Sequence, residues 1–266
     1  MTFDKFSLNG QIKPIADAQV SALNLEFTYG FGVYETLRVQ GSPIFLNEHI
    51  ERLLNSAKII GLEHGYATVQ IEEFVEKLIV ELGTQIVYNL KIILIGGDKP
   101  LLYILPLTPR FPDRKLYRDG VSVMTVELER PFPQAKTLNM LPSYIAYKKA
   151  RAAGHYEALC VDRNGNITEG TATNIFFVKG STFFTPPKEK VLDGVTRQKI
   201  LQIAQEHGIE IVEQDIKRSE IQSYSGAFLT STSSKVMPIK KIDSYTYASI
   251  PEISSRLQNL YDGFIK

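Results

Sequence analysis

Five features of the chain have residue types that could carry chemistry. Leu192-Asp193-Gly194-Val195-Thr196-Arg197 opens directly into a helical pattern. The N–H groups of Val195 and Thr196 at such a helix start are donors for an anion, and Gly194 permits close approach. Ordinary capping by the Thr196 hydroxyl fits the same residues. Thr230-Ser231-Thr232-Ser233-Ser234 places five small hydroxyls after an apolar strand. They can donate to an anion or stabilise a turn of their own. The other three features are single charged side chains. Arg52 sits on a helix, off its apolar stripe. Lys136 lies in Pro133-Gln134-Ala135-Lys136-Thr137-Leu138-Asn139, between a strand and a helix, and Glu169 stands near the end of a short strand. Taken singly, each reads as a solvated surface charge.

Other chemistries lack their signatures. There is no G-x-S-x-G elbow, no phosphate loop ending in Gly-Lys-Ser/Thr and no H-E-x-x-H. Gly30-Phe31-Gly32 lacks the third glycine of a dinucleotide fingerprint. His49, His64, His155 and His207 are scattered, so no metal site is expected. Cys160 is the single cysteine, which permits neither an intrachain disulfide nor a cysteine zinc site. It reads as a buried, reduced thiol of a cytoplasmic protein.

The elements that must position these residues follow from pattern. Phe3 to Ile15 reads as a hairpin turning at Asn9-Gly10. Asn47 to Ile60 reads as a helix with Asn47 as N-cap and Ile50, Leu53, Leu54 and Ala57 inward. Val69 to Leu82 is a second amphipathic helix, ended by Gly83, and Val87 to Ile95 is a strand. Pro106 to Asp119, with three prolines and four basic residues, reads as a linker. It divides the chain into an α+β N-terminal domain (1–108), a linker (109–119) and a larger C-terminal domain (120–266). The second domain shows the strand Val121 to Glu127, a helix from Ser143 to Ala153, then short apolar runs punctuated by Gly165 and Gly180. A helix from Thr196 to His207 follows, with strands at 209–216, 227–231 and 236–239 and a last helix. Short, irregularly joined strands suggest a β-barrel-like unit, not a doubly wound sheet.

Composition sets the broad class. The 266 residues are 44% hydrophobic and 22% charged, which is the profile of a globular protein with a substantial core. A net charge of +1 argues against nucleic acid or an anionic membrane as the main partner. The N-terminus has no signal-peptide pattern, and the most apolar stretch, Ile86 to Gly97, is too short to span a bilayer.

Taken together and in order, the five features resemble the class IV aminotransferase family, the fold-type IV enzymes that use pyridoxal phosphate. The resemblance runs from Asn9 to about Ile242. Its most specific part is Lys136-Thr137-Leu138-Asn139, Glu157-Ala158-Leu159, Thr168-Glu169-Gly170-Thr171-Ala172-Thr173-Asn174-Ile175-Phe176, Thr185-Pro186-Pro187 and Gly194-Val195-Thr196-Arg197. It implies a two-domain fold, with a small N-terminal α/β sandwich-like domain and a barrel-like cofactor-binding domain. It also implies an assembly that is at least a homodimer. By the resemblance, Lys136 matches the lysine that forms the Schiff base and moves protons at the substrate carbon. Glu169 matches the carboxylate facing the pyridine nitrogen. Arg52 matches the phosphate clamp. The amides of Val195 and Thr196 and the Thr232 hydroxyl match the rest of the phosphate cup, with Ser231 and Ser233 as additions.

The substrate follows less directly. Gly32-Val33-Tyr34-Glu35-Thr36-Leu37-Arg38 is most similar to the aminodeoxychorismate lyases of the family, and Thr36 would then assist proton transfer or orient a leaving group. The expected activity is therefore release of pyruvate and 4-aminobenzoate from aminodeoxychorismate, with a branched-chain or D-amino acid aminotransferase as the alternative. A binding module that keeps only the scaffold would require neither Lys136 nor Glu169. Gly96 to Tyr103 lacks the arginine and histidine of the D-amino acid enzymes, and Lys235 stands where many members have glutamate. Lys91, Arg38 and Arg110 are the candidates for anchoring a substrate carboxylate.

Overall fold

The computed structural model describes residues 3–109 and 111–265. The chain forms two compact units, Met1–Arg110 with Ala135–Asn139, and Phe111–Gln134 with Met140–Lys266.

In the first unit, β1 (Lys5–Leu8) and β2 (Gln11–Pro14) form a hairpin. Its turn residues Asn9 and Gly10 both have positive φ, 51° and 79°, the conformation that favours an Asn-Gly pair. A short helix α1 (Leu25–Thr28), β3 (Gly32–Gln40) and β4 (Ser42–Pro43) follow. Then come α2 (Leu46–Ile59), α3 (Thr68–Leu82), β5 (Tyr88–Ile95) and β6 (Leu101–Leu107). The strands make one antiparallel sheet in the order β2-β1-β6-β5-β3-β4. Strand alternation puts Val33, Glu35 and Leu37 on one face of β3 and Tyr34, Thr36 and Arg38 on the other. The first face joins Leu90, Ile92 and Leu94 in a core closed by Ile50, Leu53 and Ala57 of α2 and Ile71, Val75 and Leu78 of α3. Asn47 is not the N-cap. The Ile44 N–H donates to Arg38 O at 2.8 Å, which holds the hairpin through residue 44. Phe45, with φ 56°, makes the reversal alone, and Asn47 falls inside the first turn.

The second unit begins with α4 (Arg114–Asp119), inside the stretch expected to be linker. This helix buries no residue, so it left no apolar period to read. Next come β7 (Val121–Glu127), α5 (Leu141–Ala152), β8 (Glu157–Val161), β9 (Asn166–Gly170), β10 (Asn174–Lys179) and β11 (Thr182–Thr185). Helix α6 (Val195–Glu206), β12 (Ile211–Glu213), β13 (Ile216–Lys217), β14 (Gly226–Ser231), β15 (Lys235–Ile242), β16 (Tyr245–Thr246) and α7 (Glu252–Phe264) complete it. These strands form a mixed sheet in the order β12-β11-β10-β14-β15-β7-β8-β9-β13, with β16 on β15. Strand β7 is parallel to β8 and β15. The strand expected over 209–216 is two strands, because β12 pairs with β11 while β13 pairs with β9 at the opposite end of the sheet. Only three residue steps separate Glu213 from Ile216, so the two ends of the sheet lie within roughly 10 Å of chain reach. The sheet is therefore curled, as a barrel-like unit requires. Residues 135–139 part from the expected 120–266 domain and belong to the first unit.

Candidate active site

In the first unit, Lys136 is mounted on the edge of β3. Tyr34 N–H donates to Lys136 O at 2.9 Å, Leu138 N–H donates to Gly32 O at 2.8 Å, and Val33 faces Thr137 in an antiparallel bridge. Gly32 makes this approach possible. A Cβ there would lie 2.7 Å from Leu138 Cδ1 and 2.8 Å from Leu94 O. Lys136 N–H also donates to Ser56 Oγ at 3.1 Å, and Ser56 Oγ donates to Arg52 O at 2.7 Å. The Lys136 ammonium lies 4.7 Å from the centre of the Tyr34 ring, and Lys91 approaches the same ring at 5.1 Å. Both distances suit cation–π attraction. Thr36 is half-buried on the same strand face as Tyr34, in register with Lys91. Arg38 is buried in register with Asn89. Arg110 lies outside the described residues.

Arg52 is not a solvated surface residue. Its side chain is 10% exposed and makes a two-pronged pair with Glu35, Nε to Oε1 at 2.7 Å and Nη2 to Oε2 at 2.8 Å. Glu35 is fully buried. His49 Nδ1 lies 2.7 Å from Glu35 Oε2. Burial alone would raise the Glu35 carboxyl, but the charge and N–H groups of Arg52, with His49, outweigh it and hold the carboxyl well below the usual range. Burial pushes the His49 imidazole down, against the pull of Glu35 and with help from Arg52 and Lys136. A neutral ring facing an ionised carboxylate carries its hydrogen on Nδ1. His49, Arg52 and Ser56 recur on α2 at spacings of three and four and so share one helix face.

In the second unit, both oxygens of the buried Glu169 are held. Arg130 Nη1 donates to Oε1 at 2.7 Å and Leu192 N–H donates to Oε2 at 3.1 Å. Asn174 Nδ2 donates to Leu192 O at 2.7 Å, which fixes the same loop from its other side. The N-cap of α6 is Gly194, with no side-chain cap; Thr196 is the second helical residue and does not cap. Val195 and Thr196 are buried. A buried helix start without a side-chain cap is a place for an external acceptor. Thr230 pairs with Asn174 across β14 and β10, and its buried hydroxyl has no partner among the described residues. Ser231 Oγ accepts from Ser234 N–H at 3.1 Å and meets Ser234 Oγ at 2.6 Å, so this hydroxyl closes a turn. Thr232 sits half-buried in that turn. Arg197 is committed to structure through Asp193, Glu213 and Pro186 O. Among the described residues, no three or more His, Cys, Asp or Glu are grouped to hold a metal, and no helix is long and apolar enough to cross a membrane.

Residues 32–242 match the family model for class IV amino-transferases. The chain belongs to the class IV aminotransferases. The family's cofactor, and that of this enzyme, is pyridoxal phosphate. A probable branched-chain-amino-acid aminotransferase of Rickettsia felis is 32% identical over 249 residues, 89% of this chain and 86% of the relative. A D-alanine aminotransferase of Bacillus licheniformis is 30% identical, over 92% of this chain and 90% of its own. The crystal structure of a branched-chain aminotransferase from Thermoproteus uzoniensis with norvaline superposes with a TM-score of 0.90 at 28% identity, covering 98% of this chain and 94% of that one.

Within this class IV aminotransferase, Glu35, His49, Ser56 and Arg130 had no site role in the sequence pattern, and Thr230 stood only as one of a run of five hydroxyls. Glu35 alone carried a readable signal, a carboxylate at the inward parity of Val33-Tyr34-Glu35-Thr36-Leu37.

Proposed function

We propose that this chain is a pyridoxal-phosphate-dependent aminotransferase of branched-chain or D-amino acids. The observation that carries this reading is that curated relatives of about the same length, matched over nine-tenths of the chain, are aminotransferases of those two kinds. The residues present fit the cofactor. A phosphate dianion asks for a cation, N–H donors and hydroxyls. In this reading Arg52 supplies the cation, the Val195 and Thr196 amides the N–H donors, and Thr230 and Thr232 the hydroxyls. The orphaned Thr230 hydroxyl and the uncapped buried helix start support that assignment. Ser231 contributes by shaping the turn that carries Thr232. Glu169, whose two oxygens accept from Arg130 and the Leu192 N–H, would face the pyridine nitrogen and favour its protonated form.

When bound, pyridoxal phosphate supplies an electron sink for the pair left on the substrate α-carbon. Lys136 anchors the cofactor and then serves as general base, taking the α-proton on Nζ and returning it one position away. The bonds of the Lys136 backbone with the Tyr34 N–H and the Ser56 hydroxyl fix where that Nζ works, and the Tyr34 ring limits its swing.

A second reading, elimination from aminodeoxychorismate, is favoured by one observation. Thr36 stands on the strand face of Tyr34, the ring that Lys136 approaches. The test supplies holoenzyme with L-leucine, D-alanine or aminodeoxychorismate, each with and without 2-oxoglutarate. Keto acid formed from an amino acid only when an acceptor is present is the expected result. Pyruvate and 4-aminobenzoate released from aminodeoxychorismate alone would refute amino transfer and establish the lyase. This reading also takes the chain as a homodimer. Exposed Leu141, Tyr144 and Ile145 on one face of α5 support it, and a monomer at sedimentation equilibrium would refute it.

A further inference from the structure

The proposed function gives Arg52 to the cofactor phosphate and leaves open what aims Arg52. We propose that Glu35 is the positioning residue of this clamp. Its buried carboxylate sets the direction of the Arg52 guanidinium, and through it the strength of phosphate binding. The inference rests on Arg52 being a phosphate ligand.

Glu35 stands among Val33, Leu37, Ile50 and Leu53, with none of its surface in solvent. A carboxylate in such a layer is costly, and a well-packed apolar residue would often serve stability as well or better. Its partners indicate what it does instead. Both oxygens receive an Arg52 N–H, and Oε2 also meets His49 Nδ1. Two parallel hydrogen bonds fix the guanidinium plane as well as its position. An arginine ordered in advance loses less side-chain freedom when the phosphate arrives. The backbone of the same helix is tied to Lys136 by Ser56. The carboxylate therefore orders a segment that serves both the phosphate and the lysine.

Glu35→Gln keeps the shape but removes the charge and turns an N–H donor toward another donor. The full-length protein is dialysed to equilibrium against pyridoxamine phosphate and against pyridoxamine, which differ only in the phosphate. The expected result is a loss of about tenfold in pyridoxamine phosphate affinity, the size of one charge-assisted hydrogen bond, with pyridoxamine affinity unchanged. Glu35→Asp, which withdraws the carboxylate by one methylene, should show an intermediate loss and serves if the glutamine variant does not fold. Arg52→Ala should bind pyridoxamine phosphate weakly, and adding Glu35→Gln to it should cost nothing more. Unchanged phosphate-dependent affinity in both Glu35 variants would overturn the inference. So would an equal loss for the two ligands, or full additivity with Arg52→Ala. If Arg52→Ala itself binds normally, the assignment of Arg52 fails first, and that outcome is distinct from a failure at Glu35 alone.

Discussion

Gly194→Ala sets two effects of opposite sign against each other. Gly194 has φ −63° and ψ 135°, a conformation open to alanine. Backbone entropy alone therefore favours the substitution by about 0.4–1 kcal/mol. Space opposes it. A Cβ at this position would lie 2.1 Å from Asn174 Oδ1 and 3.3 Å from Asn174 Cγ. The amide must swing away and give up its 2.7 Å bond to Leu192 O. Crowding of this kind costs about 1–3 kcal/mol, and leaving a buried carbonyl unpaired costs about 1–3 kcal/mol more. The penalty exceeds the entropic gain, and a net destabilisation of about 1–6 kcal/mol follows. For a unit of this size, each kcal/mol lowers Tm by about 2–4 °C. The assay is a calorimetric melt of the second unit, paired with cofactor affinity, because the displaced loop carries the Leu192 N–H that holds Glu169. Asn174→Ala in the same chain should abolish most of the extra cost. A Tm equal to or above that of the parent protein would refute the close approach and the order it imposes on the helix start.

Acid should act on the first unit in two stages. Unfolded His49 takes up a proton near its ordinary value of 6.5, whereas the folded ring, pushed lower, resists it. Stability is therefore full above that pH and falls as pH drops through it. Glu35, held below its ordinary 4.5, stabilises above that value and loses its contribution as pH falls further. Urea midpoints from pH 8 to 2 should show both stages, and His49→Gln should remove only the upper one. In the second unit, burial pushes the Glu157 carboxyl up, partly offset by the Thr171 hydroxyl and the Ala158 N–H. The charged form is then the less stable one, so Glu157→Gln should raise Tm at pH 8 and lose that advantage toward pH 4; no rise at pH 8 would contradict the burial argument. Lys136→Ala should lose the visible band of the lysine-bound cofactor and all turnover while melting near the parent, because the backbone bonds from Tyr34 and Ser56 do not need its side chain. A band that persisted would move the anchoring role to another amine.

What could be read from the sequence, and what could not, follows the range of the interactions. Asn9-Gly10 makes its turn with its own φ angles, and α3 closes at Gly83 as its apolar period predicts. The helix start at α6 was legible, but whether Thr196 caps it was not, since the same residues fit both readings and the N-cap is Gly194 with no side-chain cap. Ser231 shows the limit of that reading: the run of five hydroxyls allowed either anion binding or a turn of its own, and Ser231 closes a turn. Glu35 carried only the inward parity of its strand, and Arg130 carried no signal; neither partner could be read. Their meaning depends on partners 17 and 39 positions away, brought together only by packing. Residues 135–139 are the sharpest case. They have no period and no apolar stripe, and follow a proline-rich run. They join the first unit because Gly32 lacks a side chain and β3 offers free edge positions to their backbone. A domain boundary drawn from composition cannot detect five residues held by main-chain hydrogen bonds. Lys136 therefore stands in the first unit rather than in the domain expected to hold it. Its α-amide shares Ser56 with Arg52, so a change on one face of α2 will reach both the lysine and the arginine.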